Sequence, residues 1–200
     1  MKYLFIFLFF IITGLVVSQV VVSKSTSNTK NIEYITLKKY DRFEIRKYNA
    51  KTVAITNLAN SSFKEMSRNG FRRIASYIFG GNASNQQIAM TAPVKMDMGP
   101  SSSMSFYMPE NYSISSLPEP NRKDVILTTE PAKIVAVIQF SGWANNSILN
   151  SKFEELKSFL EDENISFNNE YSYLGYNPPY QLVNRKNEVI ITLKDYRLKE

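Results

Sequence analysis

The chain has 200 residues, 44% of them hydrophobic and 13% aromatic, which is enough apolar material for the core of one ordinary domain and excludes wholesale disorder. Cysteine and histidine are both missing from it, so disulfides, thiol nucleophiles, thiolate metal sites and a Ser-His-Asp triad are excluded. The net charge of +6 is dispersed in pairs such as Lys38-Lys39, Arg72-Arg73 and Arg185-Lys186, with no basic stripe of the kind that grips nucleic acid.

The first element is apolar. Lys2 precedes a run from Tyr3 to Ile12, continued by Gly14-Leu15-Val16-Val17. A basic start, an apolar stretch and small residues before Gln19 have the form of a signal peptide over residues 1–18. Counted on through Val20-Val21-Val22 the stretch reaches about twenty residues, long enough to act instead as a signal anchor to about Val22. The break at Ser18-Gln19 favours cleavage, and residues 19–31 then read as a polar linker. Asn-x-Ser sequons at Asn60, Asn82, Asn111, Asn145 and Asn164 are compatible with the secretory route. The expected location is therefore lumenal or secreted, with single-pass anchorage as the alternative; a membrane is a partner only if the apolar segment is retained.

Residues 32–200 read as one domain. Phe43, Ile45 and Tyr48 predict a strand, and Val53 with Ile55 the next. Ser61-Ser62 then offers an N-cap to a helix whose apolar positions, Phe63, Met66, Phe71, Ile74, Tyr77 and Ile78, recur at three-to-four spacing up to a stop at Gly80-Gly81. The segment from Ile134 to Phe140 is apolar at most positions, which places it inside a sheet. A second helical stripe follows at Ile148, Leu149, Phe153, Leu156, Phe159 and Leu160, and Asn187 to Leu193 supply a closing strand. A shift of 82 superposes Val53-Ala54-Ile55 on Val135-Ala136-Val137 and Phe71, Ile74, Tyr77 and Ile78 on Phe153, Leu156, Phe159 and Leu160. A small further slip matches Pro93 with Pro178 and Phe106 with Val189. The expected fold is α+β, a duplicated strand-strand-helix-strand unit with halves at about 32–110 and 122–196. A pseudo-twofold would join the halves in an antiparallel curved sheet or distorted barrel flanked by two helices, as a monomer.

Several segments carry a family likeness. Tyr40 to Tyr48 (YDRFEIRKY), Phe71 to Asn82 (FRRIASYIFGGN) and Ile88 to Val94 (IAMTAPV) occur in the order found in SOUL heme-binding proteins. They are followed by Phe106-Tyr107-Met108-Pro109, Leu117-Pro118-x-Pro120, Phe140-Ser141-Gly142-Trp143, Gly175-Tyr176-Asn177-Pro178-Pro179 and Arg185 to Val189. No one of these motifs is specific alone, but their order is, and the likeness runs from about residue 33 to 196. The chain thus resembles the SOUL family. The resemblance implies non-covalent binding of heme or a related porphyrin in an apolar groove beside the first helix. Its helical contributors would be Arg68, Phe71, Arg72 and Ala75, its loop contributors Tyr176, Tyr180 and Gln181, and Met98 or its neighbour Met96 would complete the wall. Gln181 stands where a basic residue is often found in the family, and the iron-ligating histidine of some members has no counterpart here.

The residues admit this reading without an imidazole. Arg68 and Arg72 stand one helical turn apart, so both can face propionates. Phe71 and Ala75, four apart, offer one large contact and one flat patch. Met90, Met96, Met98 or a tyrosine remains open as an axial ligand. Two other classes stay in play. A hydrolase of porphyrin or chlorophyll-like esters would need no catalytic cofactor and would use Glu188 as general base, with Tyr176 and Tyr180 polarising the carbonyl; the plainer expectation is that Glu188 pairs with Arg185 or a backbone amide. An interaction protein would use the same groove for a partner's amphipathic helix.

Overall fold

Side chains along a strand point alternately to opposite sides, so a single sheet can carry two different cores. In the computed structural model, which describes residues 2–27, 29 and 31–197, one curled antiparallel sheet does so. Its strands are β1 (Tyr34–Lys39), β2 (Glu44–Tyr48), β3 (Lys51–Asn57), β4 (Val94–Met98), β5 (Ser103–Tyr107), β6 (Ile126–Glu130), β7 (Lys133–Phe140), β8 (Phe167–Gly175) and β9 (Asn187–Leu193). They lie in the order β1-β2-β7-β9-β8-β4-β5-β3-β6, a half-barrel of nine. From β2 to β6 this order reads the same in reverse when β2, β3, β4 and β5 are exchanged for β6, β7, β8 and β9.

The α+β class and the curved antiparallel sheet expected from the sequence are present. β7 lies between β2 and β9, as its apolar run requires. The proposed match of Pro93 with Pro178 does not hold, because Pro93 precedes β4 whereas Pro178 follows β8. The match of Phe106 with Val189 does not hold either: Phe106 pairs with Ala54, whereas the equivalent Ala136 pairs with Ile191 and Val189 pairs with Ile138. β1 carried no pattern to find: it is an edge strand, exposed at all positions but one, and its Lys38 and Lys39 keep that edge polar.

The helices are α1 (Lys2–Ser27), α2 (Phe63–Glu65), a π-helical turn (Met66–Gly70), α3 (Phe71–Ile78) and α4 (Asn146–Asp162). Contrary to the expected linker from residue 19, α1 does not break at Ser18-Gln19; the apolar Val20-Val21-Val22 carries it on to Ser27. Ser62 caps α2 with a reciprocal pair: its hydroxyl accepts from the Glu65 amide, and the Glu65 carboxylate accepts from the Ser62 amide. The single helix expected up to Gly80 is interrupted by the π turn. Gly70 sits there because a Cβ would lie 2.6 Å from Leu58 Cδ1 and 3.1 Å from Met104 Cβ. The stop falls where expected, at Gly80, whose φ of +105° is open to glycine. Asn145 caps α4 by accepting from the Ile148 amide at 2.9 Å. Ile148 itself, counted in the apolar stripe, is exposed on the first turn.

Both helices cover the same face. Ile74, Tyr77 and Ile78 of α3 and Leu149, Leu156 and Leu160 of α4 join Ile45, Ala54, Met96, Met104, Phe106, Ala136, Val189 and Ile191 in the larger core. Each fully buried aliphatic side chain contributes about 1.5–3 kcal/mol there. The smaller core, with Tyr48, Val53, Tyr107, Val135, Val137, Leu174, Tyr176 and Ile190, contains no helical residue.

Candidate functional site

The side chains singled out by sequence divide between these two faces. On the helix side, Arg68 leaves the π turn and Arg72 leaves α3, and both are exposed. The neighbouring Arg73 is engaged instead, with Thr56 Oγ1 and the Asn57 carbonyl at 3.3 Å and Asp124 at 3.3 Å. Arg68, Arg72, Ser76 and Phe79 follow at three-to-four spacing and form the outward stripe of the helical segment, on which Phe79 is 63% accessible.

Phe71 and Ala75 do not share that stripe. The Phe71 ring packs 5.3 Å from that of Phe106 on β5, and Ala75 is buried. These two cover their own sheet, because they lie on the side of the helix that carries Met66, Ile74 and Ile78 into the core. Met96 is likewise buried, its sulfur 4.0 Å from the Ser67 hydroxyl. Met98 is half-buried at a polar cavity of about 140 Å³, shared with Asp97, Lys133, Glu170 and Ser172.

Tyr176 and Glu188 are on the other face. Glu188 has no exposed surface; Oε1 accepts from Arg46 at 3.0 Å and forms an ion pair with Lys186 at 3.1 Å, and Oε2 accepts from the Tyr176 hydroxyl at 2.7 Å. Burial, reinforced by the Glu188 charge, pushes the Tyr176 phenol well above its ordinary range. The pair that a hydrolase would need is therefore in contact, but with both carboxylate oxygens occupied and no access for water. The partners are Arg46 and Lys186, not Arg185 as expected. Arg185 instead donates to the carbonyls of Pro178 and Gln181.

The β8–β9 loop separates its two candidates. Tyr180 is 65% accessible, whereas Gln181 is 1% accessible and its amide donates to the Val183 and Asn184 carbonyls. Gln181 thus holds the loop closed and cannot turn its amide outward. Val94 pairs with Gly175, so the segment entering β4, with Met90 at 39% accessibility, and the loop leaving β8 emerge at one end of the sheet. Among the sequons, Asn60, Asn111, Asn145 and Asn164 are exposed. Asn82 is buried, its amide nitrogen spent on the Tyr77 and Gln86 carbonyls, so the folded chain does not offer it to a glycan.

Sequence reasoning missed the charged lining of the helix-free face. Lys95 binds Glu130 at 2.6 Å and Asp97 at 3.2 Å, Lys133 also reaches Glu130, and Asp97 accepts from Ser103 at 2.8 Å and Ser172 at 2.6 Å. Burial opposes the charge of Asp97 and Glu130, yet the lysines beside them hold both carboxyls below their ordinary values. Burial, helped by Lys95, lowers Lys133, while Asp97 and Glu130 outweigh burial at Lys95 and raise it. Tyr48 lies beside Arg46 with its hydroxyl buried and unbonded, and burial lifts its phenol to about 12. The available signal was charge at alternate positions about an apolar residue, Glu44 and Arg46 about Ile45, and Lys95 and Asp97 about Met96.

The profile of the family described as SOUL heme-binding protein matches residues 29–192. Heme-binding protein 2 of Homo sapiens is 29% identical over 167 residues, covering 79% of this chain and 81% of its own. Heme-binding protein 1 of Xenopus laevis is 27% identical over 156 residues, covering 74% of this chain and 81% of its own. The fold is shared with the C-terminal domain of EcmrR, at a TM-score of 0.59 and 11% identity over 78% of this chain and 98% of that one. It is shared also with a hydrolase from Listeria innocua, at a TM-score of 0.56 and 9% identity over 79% of this chain and 94% of that one. With the motifs in family order and the match spanning nearly all of the folded domain, the chain belongs to the SOUL heme-binding protein family.

Proposed function

We propose that the chain binds heme and related tetrapyrroles without a covalent link, on the open side of the α2–α3 helical segment. The observation that carries this is the exposed stripe in which Arg68 and Arg72 are followed by Phe79: two cations for propionates and a ring for the macrocycle on one helix face. Met90, exposed, adds apolar surface at the end of the sheet from which the β8–β9 loop leaves. This revises the groove the resemblance implied, because Phe71, Ala75, Tyr176 and Gln181 face inward. The relatives named for heme binding support the ligand class.

The residues present fit a porphyrin held by contact and charge rather than by its iron. The chain has no histidine, Met96 is buried under the helix, and the Tyr176 phenol is committed to Glu188. Met90 is an exposed thioether, but the affinity does not require it. Drug-sized ligands gain about 0.3 kcal/mol per heavy atom, so about forty atoms, even half engaged, reach the micromolar range near −8 kcal/mol with ion pairs added. The closed coordination of Glu188 favours binding over general-base hydrolysis. The sequons and apolar start further support entry into the secretory route, secreted or anchored.

Absorption titration with hemin and with metal-free protoporphyrin tests the reading. The two are expected to bind within about tenfold of each other, since dispersion and propionate pairing are common to both. Arg68→Glu with Arg72→Glu should weaken both by about tenfold or more. Metal-free porphyrin binding far more weakly would reveal an iron ligand, and an unchanged affinity in the charge-reversed chain would place the ligand elsewhere.

A further inference from the structure

The β8–β9 loop exposes Tyr180, Leu182 and Val183 at 65, 57 and 50% accessibility, and Trp143, the single tryptophan of the chain, at 52%. Arg185 joins these into one surface: its guanidinium lies 4.3 Å from the centre of the Trp143 ring, and it donates to the loop carbonyls of Pro178 at 2.9 Å and Gln181 at 2.7 Å. A clustered apolar surface of this kind marks a site that something covers.

α1 meets the same loop. Gln19 Oε1 accepts from the Leu182 amide at 2.8 Å, and its Nε2 donates to the Tyr180 carbonyl at 3.3 Å. The stretch Phe7–Lys24 is long and apolar enough to cross a bilayer, and none of it is buried against the domain. Within such a stretch an amide without partners is costly, and two backbone groups of the loop satisfy this one at both ends. The residue that breaks the apolar run thus fastens the helix to the domain.

Position along the helix sets the depth of the loop. Gln19 stands five residues before Lys24, about 7.5 Å at 1.5 Å per residue. The headgroup layer on each side of the hydrocarbon is about 5–7 Å thick. With the Lys24 ammonium among the headgroups, the loop atoms held by Gln19 fall at the boundary between headgroups and acyl chains. Tryptophan and tyrosine favour that level, and Leu182 and Val183 are suited to the acyl side of it.

We propose that the β8–β9 loop and Trp143 are a membrane-seated face of the domain, covered by the lipid bilayer that α1 spans. This rests on α1 being retained as an anchor. The full-length chain is reconstituted in vesicles of phosphatidylcholine and phosphatidylglycerol, with and without lipids brominated near the top of the acyl chain. Because Trp143 is the sole tryptophan, its quenching reports the domain, while vesicle flotation and intact mass report α1 separately. The expected result is blue-shifted emission, strong quenching by the brominated lipid and low accessibility to acrylamide. Leu182→Asp with Val183→Asp should cut the lipid quenching by about threefold or more while the chain still floats. Flotation with Trp143 unquenched by lipid and open to acrylamide would overturn the seat and leave the anchor standing. Trp143 shielded from both quenchers would mean that a second copy or another ligand covers the face, which also overturns it. A chain that has lost its first residues, or fails to float, removes the anchor and the proposal together.

Discussion

Arg46→Met takes the guanidinium away from Glu188 and leaves an apolar stem in its place. Glu188 has no exposed surface, so its carboxylate is left with Lys186 at 3.1 Å and the Tyr176 hydroxyl at 2.7 Å. Breaking a buried ion pair from one side costs about 3–5 kcal/mol, and the surviving Lys186 contact sets the expectation at the lower end, about 3 kcal/mol. With a urea dependence of about 2 kcal/mol per molar, the unfolding midpoint falls by about 1.5 M. Adding Glu188→Gln removes the charge that lost its partner, so the double variant should recover about 1–2 kcal/mol relative to the sum of the single changes. Urea titrations of all four members of the cycle, followed by far-ultraviolet circular dichroism, measure both quantities. An Arg46→Met chain destabilised by less than about 1 kcal/mol, or strictly additive single changes, would show that Glu188 does not depend on Arg46.

Acid should loosen the second charged cluster. Burial pushes Asp97 and Glu130 up, but Lys95 with Ser172 and Ser103 outweighs it at the first, and Lys133 with Lys95 at the second. A folded pKa below the unfolded one means that the unfolded chain binds more protons in acid, so this stability is present above the ordinary carboxylate range and lost as pH falls through it. The urea midpoint should hold between about pH 7 and 5 and decline below about pH 4.5, and a midpoint unchanged at about pH 3 would contradict the assignment. Gly70→Ala tests the π turn: φ is −63°, so the backbone tolerates alanine, but the added methyl would lie 2.6 Å from Leu58 Cδ1. A loss of about 1–3 kcal/mol in thermal or urea unfolding is expected from overpacking, whereas a gain of about 1 kcal/mol, the ordinary helical preference for alanine, would show that the turn is not closely packed.

Local chemistry was sufficient for much of this protein. Ser62 and Gly80 mark the ends of the first helical segment because caps and left-handed stops act over a few residues, and the 3.6-residue stripe from Leu149 to Leu160 needs only its own sequence to select a buried side. The family order of the motifs, from Tyr40 to Val189, likewise needed no coordinates. What the sequence left open was which face each buried strand residue joins, because a strand covered on both sides does not label them. Tyr176 and Phe71 looked like parts of one wall and lie in opposite cores. Arg46 and Glu188 stand 142 residues apart and meet only because β7 brings β2 and β9 to either side of it. Gln181 and Asn82, polar residues that looked available to a ligand or a glycan, turn inward to satisfy nearby backbone carbonyls. Gln19 looked like the end of an apolar run and proved to be its fastening, a role that exists only once the β8–β9 loop is folded beside it.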